Sequence, residues 1–459
     1  MKLRLRPPTP DDWRRNTAPL RRQLAFSRWK PRLVFWSGAL IVGLAAGGFT
    51  LASGWAMRLQ SHLVAISPYW CILATPAGLM LAVWLTQRVF PGAQGSGIPQ
   101  AIAAMQLPDI KQRARLLSLR LAIGKILLTV IGLLSGASIG REGPTVHVGA
   151  GLLFSFGRLA RFPPHFLERS LILAGGAAGI AGAFNTPIAG IVFAIEELGR
   201  SFEERATSTV LTAVVITGIV VTGMLGNYTY FGQTSETLVT WNDWLAVPLC
   251  GVVGGLLGGL FSTALIAGQR RIARHLREHG LRTTLALGLW IALLGLLSHG
   301  NTYGTGYDQA RELLHGNPDA AGPLFPIAKI AATFFSYISG IPGGLFSPSL
   351  SAGAGVGADL ARLLPSAPVG AVVLLGMTGY FVGVVQTPLT AAVIVMEMIG
   401  DHGMILPIMA TAFIALGASK LVCRRAVYWA LADAFLTPEP GPQTPVPTQP
   451  ISPAAAERG

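Results

Sequence analysis

The sequence predicts an all-α polytopic membrane protein, and three observations lead to this fold class. First, 51% of the 459 residues are hydrophobic and only 12% are charged, whereas a soluble domain carries about 25% charged residues. Second, uncharged apolar stretches such as residues 33–57 and 244–268 are long enough to cross a bilayer, which needs roughly 20 residues. Third, apolar segments broken by glycine and proline recur in two halves of the chain, which predicts an internal duplication.

The N-terminus carries much of the net charge of +14. Ten Lys and Arg residues lie within residues 1–32 and stop where the first apolar stretch begins. This positive-inside pattern predicts a cytoplasmic N-terminus and no nucleic-acid partner, the alternative being a basic arm that binds acidic lipid or RNA. A signal peptide is not expected, because the apolar run begins late and is too long for one.

The chain is predicted to contain three regions. A basic cytoplasmic segment covers residues 1–32, a transmembrane domain covers 33–436, and a disordered Pro-rich tail covers 437–459. The transmembrane domain divides into one half at about 33–240 and a second at about 241–436. Three scattered cysteines are interpreted as small core residues rather than a disulfide or metal set: Cys71, Cys250 and Cys423.

Two pairs of similar stretches support the duplication. "GREGPTVHVGAG" from Gly140 and "GLFSPSLSAGAG" from Gly344 share a glycine, a proline four residues later and a glycine nine residues later, at an offset of 204. "GAFNTPIAGIVFAIEE" and "GVVQTPLTAAVIVMEM" place Glu196 and Glu397 at matching positions, at an offset of 201. Such duplication is typical of secondary transporters, whose sites form where broken helices of both halves meet.

The broken segments are suited to binding anions. A helix that begins inside a membrane exposes unpaired backbone N–H groups and the positive end of its dipole. Glycine before that start permits close approach, and proline fits the first turn. "GSGIP" (95–99), "GREGP" (140–144) and "GIPGGLFSP" (340–348) have this form, so they predict an anion site. For any one of them, the alternative is a kink or a tight helix contact.

These three motifs, followed by Tyr428 in "RRAVYWAL", resemble in their order the CLC family of chloride channels and proton–chloride exchangers, of the prokaryotic type without a cytoplasmic regulatory domain. The resemblance covers about residues 33–436. It implies two inverted-topology repeats of tilted and broken helices, and a homodimer with one pore per subunit. It also implies chloride binding by side-chain hydroxyls and backbone N–H groups at these positions: Ser96, Gly97, Ile98, Leu345, Phe346 and Tyr428. Without the resemblance, Tyr428 would be interpreted as an interfacial aromatic anchor.

Glu142 is the predicted gate. An ionisable group inside a membrane segment indicates function, and Glu142 stands at the helix start where the anion is expected. Its ionised carboxylate can therefore occupy the anion site and leave when protonated, which makes it a gate and a proton carrier. The resemblance places the family's gating glutamate at the same residue. The alternative is that Glu142 caps its helix or pairs with Arg141, for which we expect a structural role in holding backbone carbonyls or lipid-side charge.

Glu196 and Glu197 end the apolar run "PIAGIVFAI". Adjacent helical residues point about 100° apart, so the two acids face different environments. The resemblance implies that Glu197 transfers protons on the cytoplasmic side, as in the exchangers of the family, and the alternative is a solvated helix end. The repeat aligns Glu196 with Glu397, which predicts a structural polar contact for both.

Two further polar residues leave their roles open. Lys125 either raises the local positive potential for anions or extends to the membrane surface. In place of the acids that the family often has after "GSGIP", this chain has "QAIAAMQ", which leaves in doubt any acidic partner for Lys125. His147 is interpreted as a packing residue rather than a proton relay.

The predicted function is proton-coupled chloride exchange in the cell inner (plasma) membrane. The alternative is a passive, voltage- or pH-gated chloride channel, with a fluoride exporter less favoured because Ser96 and Tyr428 are present. A sodium-coupled carrier of a neutral solute would lack the three anion-suited helix starts. An enzyme is not expected, since "GASIG" (136–140) follows a membrane helix and not a strand. No cofactor or metal is predicted, and the predicted partners are chloride, protons, the bilayer and a second copy of the chain.

Overall fold

The computed structural model describes residues 26–162, 169–199, 204–234, 236–317, 319–400 and 403–436. Within these ranges the chain forms seventeen α-helices and no strand beyond isolated bridges. Most of the basic N-terminal segment, residues 1–25, and the whole predicted tail, 437–459, lie outside the described residues, so the predicted regional boundaries remain a prediction.

The helices follow one another in this order: α1 (Phe26–Ile66), α2 (Trp70–Arg88), α3 (Ile98–Gln106), α4 (Ile110–Leu116), α5 (Leu119–Leu134), α6 (Glu142–Leu159), α7 (Leu171–Phe184), α8 (Pro187–Phe193), α9 (Glu204–Leu225), α10 (Ala246–Leu297), α11 (Tyr307–Leu314), α12 (Phe325–Ile338), α13 (Phe346–Ala361), α14 (Val369–Val385), α15 (Pro388–Ile399), α16 (Ile405–Val422) and α17 (Val427–Leu436). A π-helix, Ala194–Gly199, continues α8, and a 3₁₀ turn, Asp243–Leu245, precedes α10.

In the part of the chain that the structure describes, seven helical stretches are long and apolar enough to cross a membrane: Pro31–Ile66, Trp70–Arg88, Ile110–Leu134, Ser208–Leu225, Asp243–Leu276, Glu278–Leu297 and Ile405–Val422. Shorter apolar helices, such as α7 and α14, are too short to span alone and lie inside the bundle. The predicted all-α polytopic membrane fold is therefore confirmed.

The two halves repeat the same succession of helices. Helices α5 to α9 correspond to α12 to α16 in order, and α1 with α2 corresponds to the 52-residue α10, which is kinked at His279 (φ −134°). Among the contacts between the halves is a reciprocal pair of backbone bonds, in which Gly140 N donates to Gly344 O (2.8 Å) and Gly344 N donates to Gly140 O (2.7 Å). This antiparallel pair relates the repeats by a local two-fold axis, in agreement with the predicted inverted topology.

Small residues allow the buried helices to approach closely. A Cβ added at Gly175 of α7 would lie 2.6 Å from the carbonyl carbon of Gly149 on α6. In the second half, a Cβ added at Gly357 of α13 would lie 2.6 Å from the Cα of Val373 on α14. Both helix pairs therefore pack backbone against backbone, as membrane helices with glycine at the interface do. Cys71, Cys250 and Cys423 are buried and free, which confirms their predicted place in the core.

Candidate ion-binding site

The two "broken" repeat segments place two helix starts face to face. Helix α6 begins at Glu142 and α13 begins at Phe346, immediately after the paired Gly140 and Gly344. The first N–H groups of each helix have no partner within their own helix. Both dipoles therefore direct their positive ends toward the same interior region, which favours an anion there.

The third broken segment joins these two. Gly95 N donates to Ile341 O (3.2 Å), and Gly343 N donates to Gly95 O (3.3 Å), so "GSGIP" runs beside "GIPGG". Gly97 has φ +104°, a conformation that glycine adopts without strain, and it starts α3 at Ile98. The chain thereby brings the three predicted anion-binding segments together.

Two buried hydroxyl groups lie at this junction without a partner. Ser96 and Tyr428 are each 0% exposed, and neither side-chain oxygen has a hydrogen-bonding partner in the part of the chain that the structure describes. The Tyr428 ring packs 5.9 Å from that of Phe346, the first residue of α13. Buried polar groups without a partner are costly, so hydroxyls arranged in this way indicate room for a ligand that accepts hydrogen bonds.

Glu142 occupies the gap between the helix starts. Its side chain is fully buried, and its Oε1 accepts a hydrogen bond from the Ser347 hydroxyl at 2.5 Å. Its Oε2 lies 3.4 Å from the position of a Cβ added at Gly344. The carboxylate therefore stands at the N-terminus of α13 as well as at that of its own helix α6, which is where an anion would bind.

Arg141 turns away from the neighbouring glutamate. Its Nη2 donates to the carbonyl of Ala183 (3.3 Å), and its guanidinium carbon lies 5.9 Å from the ring centre of Tyr230. The predicted structural role of Arg141 in holding a backbone carbonyl is confirmed.

The two acids of the "EE" pair have different surroundings. Glu196 accepts from the backbone N–H groups of Leu389 (3.2 Å) and Thr390 (2.6 Å) at the start of α15. Reciprocally, Glu397 accepts from Ile188 (3.1 Å) and Ala189 (2.6 Å) at the start of α8. The predicted structural contact for both acids is confirmed, and each caps the broken helix of the other repeat.

Glu197 is 1% exposed and lies in the π-helix Ala194–Gly199. The alternative of a solvated helix end is therefore wrong. This π-helix was not predicted from the sequence, and such elements are often found at functional sites. The indole Nε1 of Trp429 donates to the backbone carbonyl of Glu197 at 3.1 Å.

Lys125 is fully buried, so the alternative that it extends to the membrane surface is wrong. Its Nζ donates to the carbonyls of Gln94 (3.1 Å) and Gly95 (2.6 Å), the residues directly before Ser96. A second buried lysine, Lys329, follows at the repeat offset of 204 and was not singled out from the sequence. Its Nζ donates to the carbonyls of Thr302 and Gly304, both at 2.9 Å, in the loop before α11.

His147 packs against the same region. Its Nε2 lies 2.7 Å from Leu116 O, and its Cβ would lie 2.6 Å from a Cβ added at Gly97. Because a carbonyl oxygen only accepts, Nε2 is the donor. This geometry agrees with the predicted packing role.

One known protein family matches the chain over most of its length. The sequence profile of the family described as "Voltage gated chloride channel" matches residues 78–420. The chain belongs to this family. The predicted family is therefore confirmed over most of the transmembrane domain.

Curated relatives and solved structures agree with this assignment. The chain is 28% identical over 424 residues to the H(+)/Cl(-) exchange transporter ClcA of Yersinia pestis bv. Antiqua (strain Angola). This alignment covers 86% of each protein. It is 29% identical over 388 residues to ClcA of Vibrio campbellii (strain ATCC BAA-1116), which covers 81% of each. Its fold is similar to that of a slow cyanobacterial Cl-/H+ antiporter (TM-score 0.76, 24% identity, 88% of this chain and 97% of that one). It is also similar to a CLC-type fluoride/proton antiporter (TM-score 0.75, 24% identity, 87% and 96%).

Two residues at the site were missed by reasoning from the sequence. Ser347 bonds to Glu142, and the repeat offset aligns it with Gly143, so no symmetry signal marked it. Trp429 follows Tyr428 in the sequence, and its indole donates to the Glu197 carbonyl. Both contacts join residues more than 200 positions apart, and neither follows a local pattern.

Proposed function

We propose that this chain is a secondary active transporter that exchanges chloride for protons across a membrane. The observation that carries the proposal is the position of Glu142, a fully buried carboxylate at the starts of α6 and α13. A carboxylate in that position takes the place of an anion. The similarity to proteins named as H(+)/Cl(-) exchange transporters supports chloride and protons as the exchanged ions.

In the proposed cycle, chloride binds between the helix starts and the hydroxyls of Ser96 and Tyr428. Backbone N–H groups contribute at four further positions: Gly97, Ile98, Leu345 and Phe346. Ionised Glu142 competes with the anion, because the same dipoles and donors stabilise both. Protonation removes the charge that those donors attract, so the side chain leaves and an anion enters its place. Glu142 thus acts as gate and proton carrier.

Glu197 is the proposed internal proton acceptor. It is 1% exposed, and its backbone carbonyl accepts from the indole of Trp429, the residue that follows Tyr428. A proton released by Glu142 on the inner side would therefore pass to a second buried carboxylate rather than directly to water. A channel needs no such second acid, which favours exchange over passive conduction.

Proteoliposomes test this proposal. A chloride gradient is imposed across the vesicle membrane while external pH and chloride are recorded together. We expect uphill proton movement in the wild type, none in Glu142→Gln, and chloride flux without protons in Glu197→Gln. Glu312→Gln, at an exposed residue of α11, is the matched control and should behave as wild type. Chloride flux with no proton signal in the wild type would identify a channel, and proton movement driven only by a fluoride gradient would identify a fluoride exporter.

We also propose that two copies of the chain form a homodimer with one pore each. Helices α9 and α16 expose large apolar side chains, among them Val215 (54%), Ile219 (68%), Leu406 (71%) and Phe413 (51%). Helix α9 packs on α8 and α16 packs on α15, the two helices whose starts are mutually capped, so pairing of α9 and α16 with a second copy would stabilise both repeats. Light scattering of the detergent-solubilised protein should give twice the chain mass, and a monomer in lipid as well as detergent contradicts the proposal.

The proposed location is the inner (plasma) membrane with the N-terminus in the cytoplasm, on the basis of the basic segment that precedes α1. A protease-sensitive N-terminal tag should be protected in right-side-out vesicles and cleaved in inverted ones. Cleavage in right-side-out vesicles would reverse the orientation.

A further inference from the structure

Helix α17 carries two consecutive aromatic residues that face different parts of the molecule. Tyr428 is fully buried and packs on Phe346 at the anion site. Trp429, about 100° further around the helix, points to the π-helix and donates its indole N–H to the Glu197 carbonyl at 3.1 Å. One short helix therefore contacts the chloride site with one residue and the proton acceptor's backbone with the next.

The accepting carbonyl is in the last turn of the π-helix. Carbonyl groups near the end of a helix need partners from outside it. Because the Trp429 indole supplies such a partner, the position of the Glu197 backbone depends on where α17 stands. The preceding residue, Glu196, is held separately through its side chain, which accepts from the N–H groups of Leu389 and Thr390 at the start of α15.

A small cavity adjoins the tryptophan. It has a volume of about 50 Å³ and is lined by Met105, Gln106, Arg169, Leu198, Gly199 and Trp429 among others. A water needs roughly 10–15 Å³ of such volume, so the cavity has room for a few water molecules. Trp429 lines this cavity and also donates to the Glu197 carbonyl. Loss of the indole N–H would expose the carbonyl to water as a competing donor and release the end of the π-helix.

We propose that Trp429 is a positioning residue that couples the occupancy of the anion site to the position of Glu197. An anion that enters or leaves displaces the Tyr428 hydroxyl, α17 moves as a rigid unit, and the Trp429 indole transmits the movement to the Glu197 backbone. The inference rests on the proposed exchange function and assigns its coupling to one hydrogen bond. Trp429 itself touches neither ion.

Two substitutions test the coupling. Trp429→Phe keeps an aromatic ring but removes the N–H donor. Incorporation of 3-benzothienyl-alanine at position 429 replaces the N–H by sulfur with almost no change of shape, so it decides the question even where Trp429→Phe does not fold. Trp84→Phe, at a tryptophan of α2 that is 47% exposed, is the control for the loss of an indole elsewhere.

Chloride and proton fluxes are recorded together in proteoliposomes, and chloride affinity is measured by calorimetry. We expect the ratio of proton to chloride flux to fall about fivefold in both position-429 variants, the change that the loss of one neutral hydrogen bond produces. Chloride affinity should stay within about twofold, the range of a substitution outside the site. A purely structural role would lower both fluxes in parallel and leave the ratio unchanged.

The outcomes separate the inference from the proposed function. A coupled wild type with an unchanged ratio in the benzothienyl variant overturns the inference and leaves the proposed function standing. A parallel fall of both fluxes also overturns it. A wild type that moves chloride without protons overturns the proposed function, and the inference with it.

Discussion

Lys125→Met is expected to weaken chloride binding because Lys125 holds the turn that carries Ser96. The wild-type Nζ donates to Gln94 O at 3.1 Å and to Gly95 O at 2.6 Å. Methionine has similar length but donates nothing, so the carbonyls of Gln94 and Gly95 lose their charged donor and keep only the neutral donors Gln100 Nε2 and Gly343 N–H. The turn that presents Ser96 then loses its anchor from α5.

Lys125→Met should lower two quantities, the stability of the protein and its affinity for chloride. Hydrogen bonds to a charged group contribute about 1.5–3 kcal/mol each, and part of that sum is offset because the ammonium no longer has to be buried, so the net loss of stability is about 2–4 kcal/mol. Lys125 Nζ is bonded to the carbonyl of Gly95, directly before Ser96, and for an anion at the Ser96 hydroxyl we take a separation of roughly 7 Å from the charge, about two Cα–Cα spacings. At an effective dielectric constant of about 20, the attraction lost at that distance is about 2 kcal/mol. Chloride affinity should therefore fall about thirtyfold.

Lys329→Met is the matched control. Lys329 is related to Lys125 by the repeat, is equally buried and also donates to two carbonyls, but these belong to the loop before α11. It should lose a similar amount of stability and keep its chloride affinity. The assay is calorimetric titration of purified protein with chloride, beside a thermal melt of each variant. The reasoning is refuted if both variants lose affinity equally, or if Lys125→Met melts lower but binds chloride as tightly as wild type.

Three further predictions concern the same region. Ser347→Ala removes the donor to the Glu142 carboxylate, so the gate should leave its position more readily and chloride flux should rise up to about tenfold; slower efflux from vesicles would contradict this. Gly97→Ala forces a residue with a Cβ into φ +104° and against neighbouring atoms, which should lower the free energy of unfolding by more than about 2 kcal/mol in a chemical or thermal melt. The control is Gly48→Ala, where the added Cβ would have no packing neighbour within 4 Å among the described residues, and it should lower that free energy by under about 0.5 kcal/mol. Glu397→Gln leaves one oxygen to accept where the carboxylate offers two, which should lower stability by about 1–3 kcal/mol without changing chloride affinity; an unchanged melting temperature would show that this cap contributes nothing.

The helix starts of this protein were predictable because their causes are local. A glycine followed four residues later by a proline is a local signal for a helix start, so the spacing after Gly140 and Gly344 located two starts that the structure brings face to face. The alignment of Glu196 with Glu397 predicted a shared structural role in the same way, since a repeat preserves symmetric contacts.

Other features depend on packing and had no local signal. The hydrogen bond of Ser347 to Glu142 joins residues 205 apart, and that of Trp429 to Glu197 joins residues 232 apart. Neither hydrogen bond has a counterpart in the other repeat from which it could have been predicted. The π-helix around Glu197 also escaped prediction, because its sequence, AIEELG, has the residue types of an ordinary helix end. By contrast, the buried Lys329 could have been found from its offset to Lys125.

The reciprocal caps of Glu196 and Glu397 have a consequence for how the chain could be built. Each half supplies the acid that completes a helix in the other, so recognition between halves does not depend on the peptide that connects them. That connection passes Trp241, whose side chain is 90% exposed. A gene divided beside this residue should therefore yield two polypeptides that find each other in the membrane and assemble into a working transporter.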